Sequence, residues 1–138
     1  MRGLLALPIV GSLAAQTTYP NKPIRFILGF PPGGSADPTT RILAAALSEQ
    51  MGQQLVVDNR PGADSAIAAA MVARLAADGY TIMFASNSAM TAAVALRKQP
   101  LYDPLTDFTP ISMVGRATAF FYVHPSVPAK TLMEFIEY

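Results

Sequence analysis

Phe30-Pro31-Pro32-Gly33-Gly34-Ser35-Ala36-Asp37-Pro38 is where the chain changes from a strand into a helix. Before it stands the β-forming run Ile24-Arg25-Phe26-Ile27-Leu28. After it, Thr39 to Leu47 sets its large apolar side chains on one helical face. Gly33 and Gly34 have no Cβ, so a ligand can come close to their main chain and unusual φ values cost little. Asp37 followed by Pro38 reads as a helix start, an N-cap acceptor and then a residue with no N–H. Unpaired N–H groups at such a start, aligned with the helix dipole, form an anion site. Taken alone, the stretch fits equally well as a glycine-rich connection that binds nothing.

The 138 residues suit one domain with a real core, and the 51% hydrophobic share argues against disorder. A net charge of +1 with no Lys/Arg cluster gives no electrostatic case for nucleic acid. Without cysteine there is no disulfide, thiolate metal site or thiol nucleophile, and the single His124 cannot build a multi-histidine metal site within the chain. No cofactor or metal is expected. At the start, Met1-Arg2 and the apolar run Gly3 to Leu13, too short to span a bilayer, lead to small residues at Ala14-Ala15. Residues 1–15 read as an export signal, and the expected location is periplasmic. The competing reading is a buried first element of a cytosolic protein.

Beyond the proline-punctuated lead-in, the first helix should stop near Met51-Gly52, with Gly52 as the C′ residue. Leu55-Val56-Val57 reads as a buried parallel strand, and Asp58 to Gly62 as a turn. A second helix is expected from about Asp64 to Ala77, with Ile67, Met71 and Leu75 as its apolar stripe. Tyr80 to Ala85 reads as the third strand and Ala89 to Lys98 as a third helix. This alternation predicts an α/β fold with a parallel sheet and right-handed crossovers. Ile111 to Val114 and Ala119 to Val123 read as two more strands, and Thr131-Leu132-Met133-Glu134 as the capping box of a last helix.

Parallel sheets bind ligands beyond the carboxyl ends of their strands. The loops there run from Pro31 to Asp37, Arg60 to Ala66 and Ser86 to Ser88. They offer glycines, hydroxyls, one amide and main-chain N–H groups, a set suited to holding a carboxylate rather than to catalysis. The glycines follow neither a nucleotide P-loop nor Gly-x-Gly-x-x-Gly. A Ser–His–Asp device would have to recruit His124, which sits at an expected strand end. Asp37 and Asp64 are candidate paired carboxylates, with helix N-cap and first-turn acid as their plainer roles. Arg60 is placed either to meet a ligand or to pair with Asp58.

Several motifs occur in one order: Tyr19-Pro20-Asn21-Lys22-Pro23-Ile24-Arg25, Phe30-x-Pro32-Gly33-Gly34-x-x-Asp37, Asn59-Arg60-Pro61-Gly62-Ala63, Asp78-Gly79-Tyr80-Thr81, Tyr102-Asp103-Pro104-x-x-Asp107-Phe108-x-Pro110, and Pro125-Ser126-x-Pro128-Ala129-Lys130-Thr131. Together they resemble the Bug family of periplasmic solute receptors, the binding components of tripartite tricarboxylate transporters. The resemblance implies a two-lobed, flytrap-like receptor, with residues 16–110 as the first lobe and 111–138 as the hinge crossing and an incomplete second lobe. It implies a small organic acid as ligand and the transporter's membrane subunits as partners. The family's ligand contacts carry over to Pro32, Gly33, Gly34, Ser35, Asp37 and Ala63. Asp64, Ser65, Ser86, Asn87 and Ser88 complete the expected ligand-binding set, and no residue is expected to be catalytic. Where the family usually continues Gly-Gly-Asn-Ile-Gly, this chain has Asp64-Ser65-Ala66-Ile67-Ala68, and Met90 stands where a histidine is common. Asp64 adds a negative charge that disfavours a second carboxylate or attracts an amine. Two other classes compete: a small α/β enzyme with Asp37 or Asp64 as general base, and a cytosolic ligand-sensing domain.

Overall fold

In a computed structural model, three parallel strands make up the centre of the chain: β1 (Ile24–Leu28), β2 (Leu55–Asn59) and β3 (Thr81–Phe84), in the order β2-β1-β3. The structure describes residues 19–116, 118 and 120–138, so the expected export signal lies outside the described residues. β1 is hydrogen-bonded on both sides, with Phe26 opposite Val57 on one flank and Ile82 on the other. Its position explains its composition: Ile24, Ile27 and Leu28 are all but inaccessible.

Alternation along the strands sorts the core into two layers. Ile24, Phe26, Leu55, Ile82 and Phe84 meet Leu43, Ala44 and Leu47 of α1 (Ala36–Met51) on one face. Met83 meets Ala66, Ala69 and Ala70 of α2 (Ala66–Val72) on the other, where Tyr102 and Phe108 close the layer. The first crossover therefore covers one face and the second covers the opposite one. Such a reversal beside a central strand is the topological switch point of an open parallel sheet.

β1 and α1 form as their sequence predicts, and α1 ends on Gly52 at φ 66°. The helix N-cap, however, is Ser35, which makes no side-chain cap bond. Asp37 lies inside the first turn. β2 runs two residues further than expected, because Asp58 and Asn59 stay in register with Ile27 and Leu28. The second helix is shorter than its alanine-rich sequence predicts. A 3-10 turn, Ala63–Ser65, holds left-handed backbone at three successive residues (φ 45°, 54° and 71°) and delays the start of α2. The buried stripe is also different: Ile67 is 54% exposed, and the alanines form the packed face. Their small side chains let the helix lie close to Tyr102, whereas Ile67 lies over Gly62.

The third helix is split into α3 (Asn87–Met90) and α4 (Ala92–Ala95), with Thr91 at φ −126°, ψ −72° between them. Tyr102 donates its hydroxyl to the Ala89 carbonyl at this break. No strand forms over Ile111 to Val114 or over the described part of Ala119 to Val123. Among the described residues no neighbouring strand bonds to these segments, and Ile111, Met113, Phe121 and Tyr122 face solvent. An isolated strand in water has no partner for its main-chain groups. α5 (Leu132–Glu137) is capped at Thr131, whose hydroxyl accepts the Glu134 N–H. The Glu134 carboxylate reaches back to the Lys130 N–H, one residue earlier than a capping box requires.

Gly29, just past β1, has no space for a side chain. An added Cβ would strike the Ser65 side chain and come within 2.8 Å of the Ser65 Cα. Overpacking of this kind costs about 1–3 kcal/mol, so Gly29→Ala is expected to lower the urea midpoint clearly. Ser65→Gly should raise stability by about 1 kcal/mol, because it removes a left-handed side chain. Unchanged midpoints in both variants would contradict the packing described.

Candidate functional site

All three strands are parallel, so the loops that follow them leave from one edge of the sheet. The first loop is a tight bend in which Gly34 N–H donates to Pro31 O at 3.3 Å and Asp37 N–H to Gly34 O at 3.1 Å. Gly33 takes φ 76°, and a Cβ there would meet nothing within 4 Å. Among the described residues, the N–H groups of Ser35 and Ala36 have no acceptor. Pro32, Gly33 and Ser35 are exposed and Gly34 is half-buried, so the bend is open to a ligand.

The Asp37 carboxylate fixes the loop. Its Oδ2 accepts the Arg41 Nε–H at 2.9 Å and the Gly33 N–H at 3.1 Å, and its Oδ1 accepts the Asn59 Nδ2–H at 3.0 Å. Asn59 also donates to Phe30 O at 2.9 Å, tying the loop to the end of β2. The Arg41 guanidinium first, then the Asn59 amide and the Gly33 N–H, lower the Asp37 pKa to about 2. A carboxylate with three donors and so low a pKa is a poor proton acceptor at neutral pH. Asp37 therefore acts as a strut, and the general-base role considered for it is not supported.

The second loop carries Ala63, Asp64 and Ser65. Ala63 and Asp64 are exposed, whereas Ser65 is fully buried against Gly29 with its hydroxyl unpartnered among the described residues. The turn also touches α3. In the third loop, Ser86 accepts the Ala89 N–H at 3.1 Å and lies 3.1 Å from the Ser88 hydroxyl, and Asn87 is exposed. The structure thus places every expected ligand-binding residue on one edge of the sheet. The first and second bends lead into helices on opposite faces.

Arg60 forks onto Asp58, with Nε at 2.9 Å and Nη2 at 3.1 Å, and Arg25 meets the same carboxylate at 2.6 Å. Arg60 is therefore a structural partner. The Arg25 hydrogen bond leads in holding the Asp58 carboxyl below its ordinary pKa. His124 Nδ1 lies 2.8 Å from the Ser126 hydroxyl within an exposed turn, and among the described residues no carboxylate bonds to it. This is no triad. A cavity of about 450 Å³ lies between α1 and the outer strand β2, away from the three loops. It is lined by Ala44, Ala45, Ser48 and neighbours, and Arg41, its one charged group, is engaged with Asp37.

Three contributors were missed in the sequence. Arg41 was legible, since it stands one helical turn after Asp37. Asn59 and Gly29 were not, because their partners come from distant parts of the chain.

Together, the doubly wound parallel sheet and the main-chain donors on its carboxyl edge define an α/β unit of the class that takes ligands beyond its strand ends. The chain belongs to the TctC family, the tripartite tricarboxylate transporter family receptors, whose profile matches residues 39–138. Protein BugT of Bordetella pertussis is 40% identical over 124 residues, 89% of this chain and 38% of its own length. The structure of Rpa4515 from R. palustris with adipate superposes with a TM-score of 0.72 at 35% identity, covering 86% of this chain and 40% of that one. MatC from Rhodopseudomonas palustris with bound malate gives a TM-score of 0.69 at 29% identity, over the same 86% and 40%. The resemblance to Bug receptors is borne out, as is the flytrap fold class. The chain spans about two fifths of the length of these relatives, 38% of BugT and 40% of the two structures.

The depressed Asp37 carboxyl makes acid stability a direct readout of the strut. Its contribution is complete above the ordinary value of 3.8 and is lost as pH falls through about 2. Asp37→Asn should flatten the loss of stability between these values in denaturant melts. Arg41→Gln should move the Asp37 titration, followed by carboxyl NMR, upward toward 3.8. An Asp37 titration unaffected by Arg41→Gln would show that the ion pair does not form in solution.

Proposed function

We propose that this chain is the first lobe and hinge entry of an exported receptor that binds a small carboxylate for a tripartite tricarboxylate transporter. In this reading residues 1–15 are the export signal, 16–110 form the lobe, and 111–138 cross the hinge into a second lobe. The arrangement of three donor-bearing loops on one edge of the sheet carries the proposal. Relatives with the same fold hold adipate and malate, which supports a carboxylate as ligand.

The ligand carboxylate accepts the open N–H groups of Ser35 and Ala36 beside Gly33 and Gly34, where the α1 dipole adds to the attraction. Asp37 holds the bend in place without facing the anion as a free charge, because its carboxylate is already committed to Arg41 and Asn59. Ala63 to Ser65 and Ser86 to Ser88 complete the wall with main-chain and hydroxyl groups. Grip without covalent chemistry follows from this composition, and the protein acts as a receptor rather than an enzyme. Closure occurs by bending at the hinge. The exposed Ile111, Met113, Phe120, Phe121, Leu132, Met133 and Ile136 supply the apolar surface that a second lobe covers.

Gly34→Val is the decisive variant, because a Cβ at Gly34 meets only the Pro31 carbonyl, at 3.3 Å, and folding should survive it. Calorimetry on the intact receptor should show carboxylate affinity falling by about tenfold or more, equivalent to at least about 1.4 kcal/mol. His124→Ala should leave affinity unchanged. Full affinity in Gly34→Val would remove the first loop from the site.

A further inference from the structure

We infer that Tyr102 is a positioning residue for ligand binding: by holding the Ala89 carbonyl at the break between α3 and α4, it sets the direction of the Ser86 and Ser88 hydroxyls. The inference rests on the carboxylate-receptor reading, in which those hydroxyls form part of the wall, and adds a residue outside the three loops.

The break has no cause in its own stretch of sequence. Asn87 to Lys98 contains neither proline nor glycine, and its alanines favour a continuous helix. Yet Thr91 leaves helical geometry at φ −126°, ψ −72°. The ladder resumes with the Val94 and Ala95 N–H groups on the Thr91 carbonyl. A helix breaks sharply without proline or glycine where another group inserts into its ladder. Here that group is the Tyr102 hydroxyl, which donates to the Ala89 carbonyl from 13 residues further along the chain. In an unbroken helix that carbonyl serves the N–H four residues on.

Tyr102 is itself firmly held. Its ring is buried with Ala66, Ala69 and Ala70 of α2 and meets Phe108 edge to face, the centroids 5.7 Å apart. The turn between the two rings closes on itself. Asp103 N–H donates to the Asp107 carboxylate at 2.8 Å, and Asp107 N–H donates to Asp103 O at 2.9 Å. Leu105 N–H donates to the Asp103 carboxylate at 2.8 Å. A braced loop therefore aims the hydroxyl. Burial pushes its pKa up, so the group stays a donor at neutral pH.

α3 depends on such a hold, since a helix of four residues is too short to be stable alone. Its Ala89 is fully buried and bonded on both sides. The Ala89 N–H donates to the Ser86 hydroxyl at 3.1 Å, and its carbonyl accepts from Tyr102. The Ser86 hydroxyl in turn lies 3.1 Å from that of Ser88. One line of hydrogen bonds thus runs from Tyr102 through Ala89 to the two hydroxyls at the carboxyl edge. Losing its first member frees α3 to merge with α4, which turns Ser86 and Ser88 away from their present direction.

The test is Tyr102→Phe in the intact receptor, a variant that keeps the ring and removes the donor. Calorimetry with malate, succinate, adipate and citrate as probes should show the tightest-binding acid losing about fivefold or more in affinity. In the ligand-free receptor, amide shifts should move at Ser86 to Thr91 and stay in place at Gly33 to Ala36. Ile24→Val lowers stability through the opposite core layer and should leave affinity unchanged, which separates positioning from stability alone. In a Ser86→Ala background, Tyr102→Phe should lose most of its effect on affinity, because the two residues act along one line. Full affinity in Tyr102→Phe, unmoved amides at Ser86 to Thr91, an equal loss in Ile24→Val, or additive effects of the two variants each overturn the role of Tyr102 and leave the carboxylate receptor intact. Failure of the unaltered receptor to bind any of the four acids overturns the carboxylate reading and this inference together.

Discussion

The Asp37 carboxylate joins three parts of the chain that would otherwise be independent. It accepts the Gly33 N–H from the first bend, the Arg41 guanidinium from α1 and the Asn59 amide from the end of β2. Without these bonds the bend would be a glycine-rich loop with wide conformational freedom, and its remaining N–H groups would have no fixed direction. Binding by main-chain donors depends on donors held in place before the ligand arrives, because ordering them afterwards costs affinity. The buried acid supplies that rigidity. Its charge is neutralised locally by Arg41, so a negative residue can stand beside the anion site proposed above.

The second constraint is topological. β1 lies between β2 and β3, the first crossover covers one face, and the second covers the other. The two crossovers diverge at the carboxyl end of β1, and β1 is the most deeply buried of the three strands. Buried centre and diverging crossovers are thus two consequences of the same strand order. The groove between α1 and β2 is lined mostly by apolar side chains, and its charged residue, Arg41, is engaged with Asp37.

Much of this was legible in the sequence. β1 and α1 have strong local signals: a β-forming run, a Pro/Gly/Asp bend, helical spacing and Gly52 as a stop. The parallel α/β class followed from the alternation of elements. What failed depended on distant partners. Asn59 looked like a turn residue, yet the register with Leu28 keeps it in β2. Ile67 looked like core, yet the contact near Tyr102 favours alanine over bulk. Ile111 to Val114 has strand composition, but composition cannot supply a neighbouring strand. At the site, the polar loops were readable, whereas the commitment of Asp37 and of Arg60 to structural pairs required coordinates. The left-handed turn at Ala63–Ser65 was not read in the sequence; the Bug pattern has glycines where this chain has Asp64 and Ser65, and the geometry shows what their replacement imposes on the backbone.

The central claim is that a small acid is held by prearranged main-chain donors at the carboxyl edge of this sheet. The most direct measurement is amide chemical-shift mapping of the ¹⁵N-labelled intact receptor during titration with a bound carboxylate. The account predicts that the largest changes in this lobe fall on Gly33 to Ala36, Ala63 to Ala66 and Ser86 to Ser88. Changes centred instead on Ala45, Ser48, Gln54 and Val56, along the groove between α1 and β2, would contradict it.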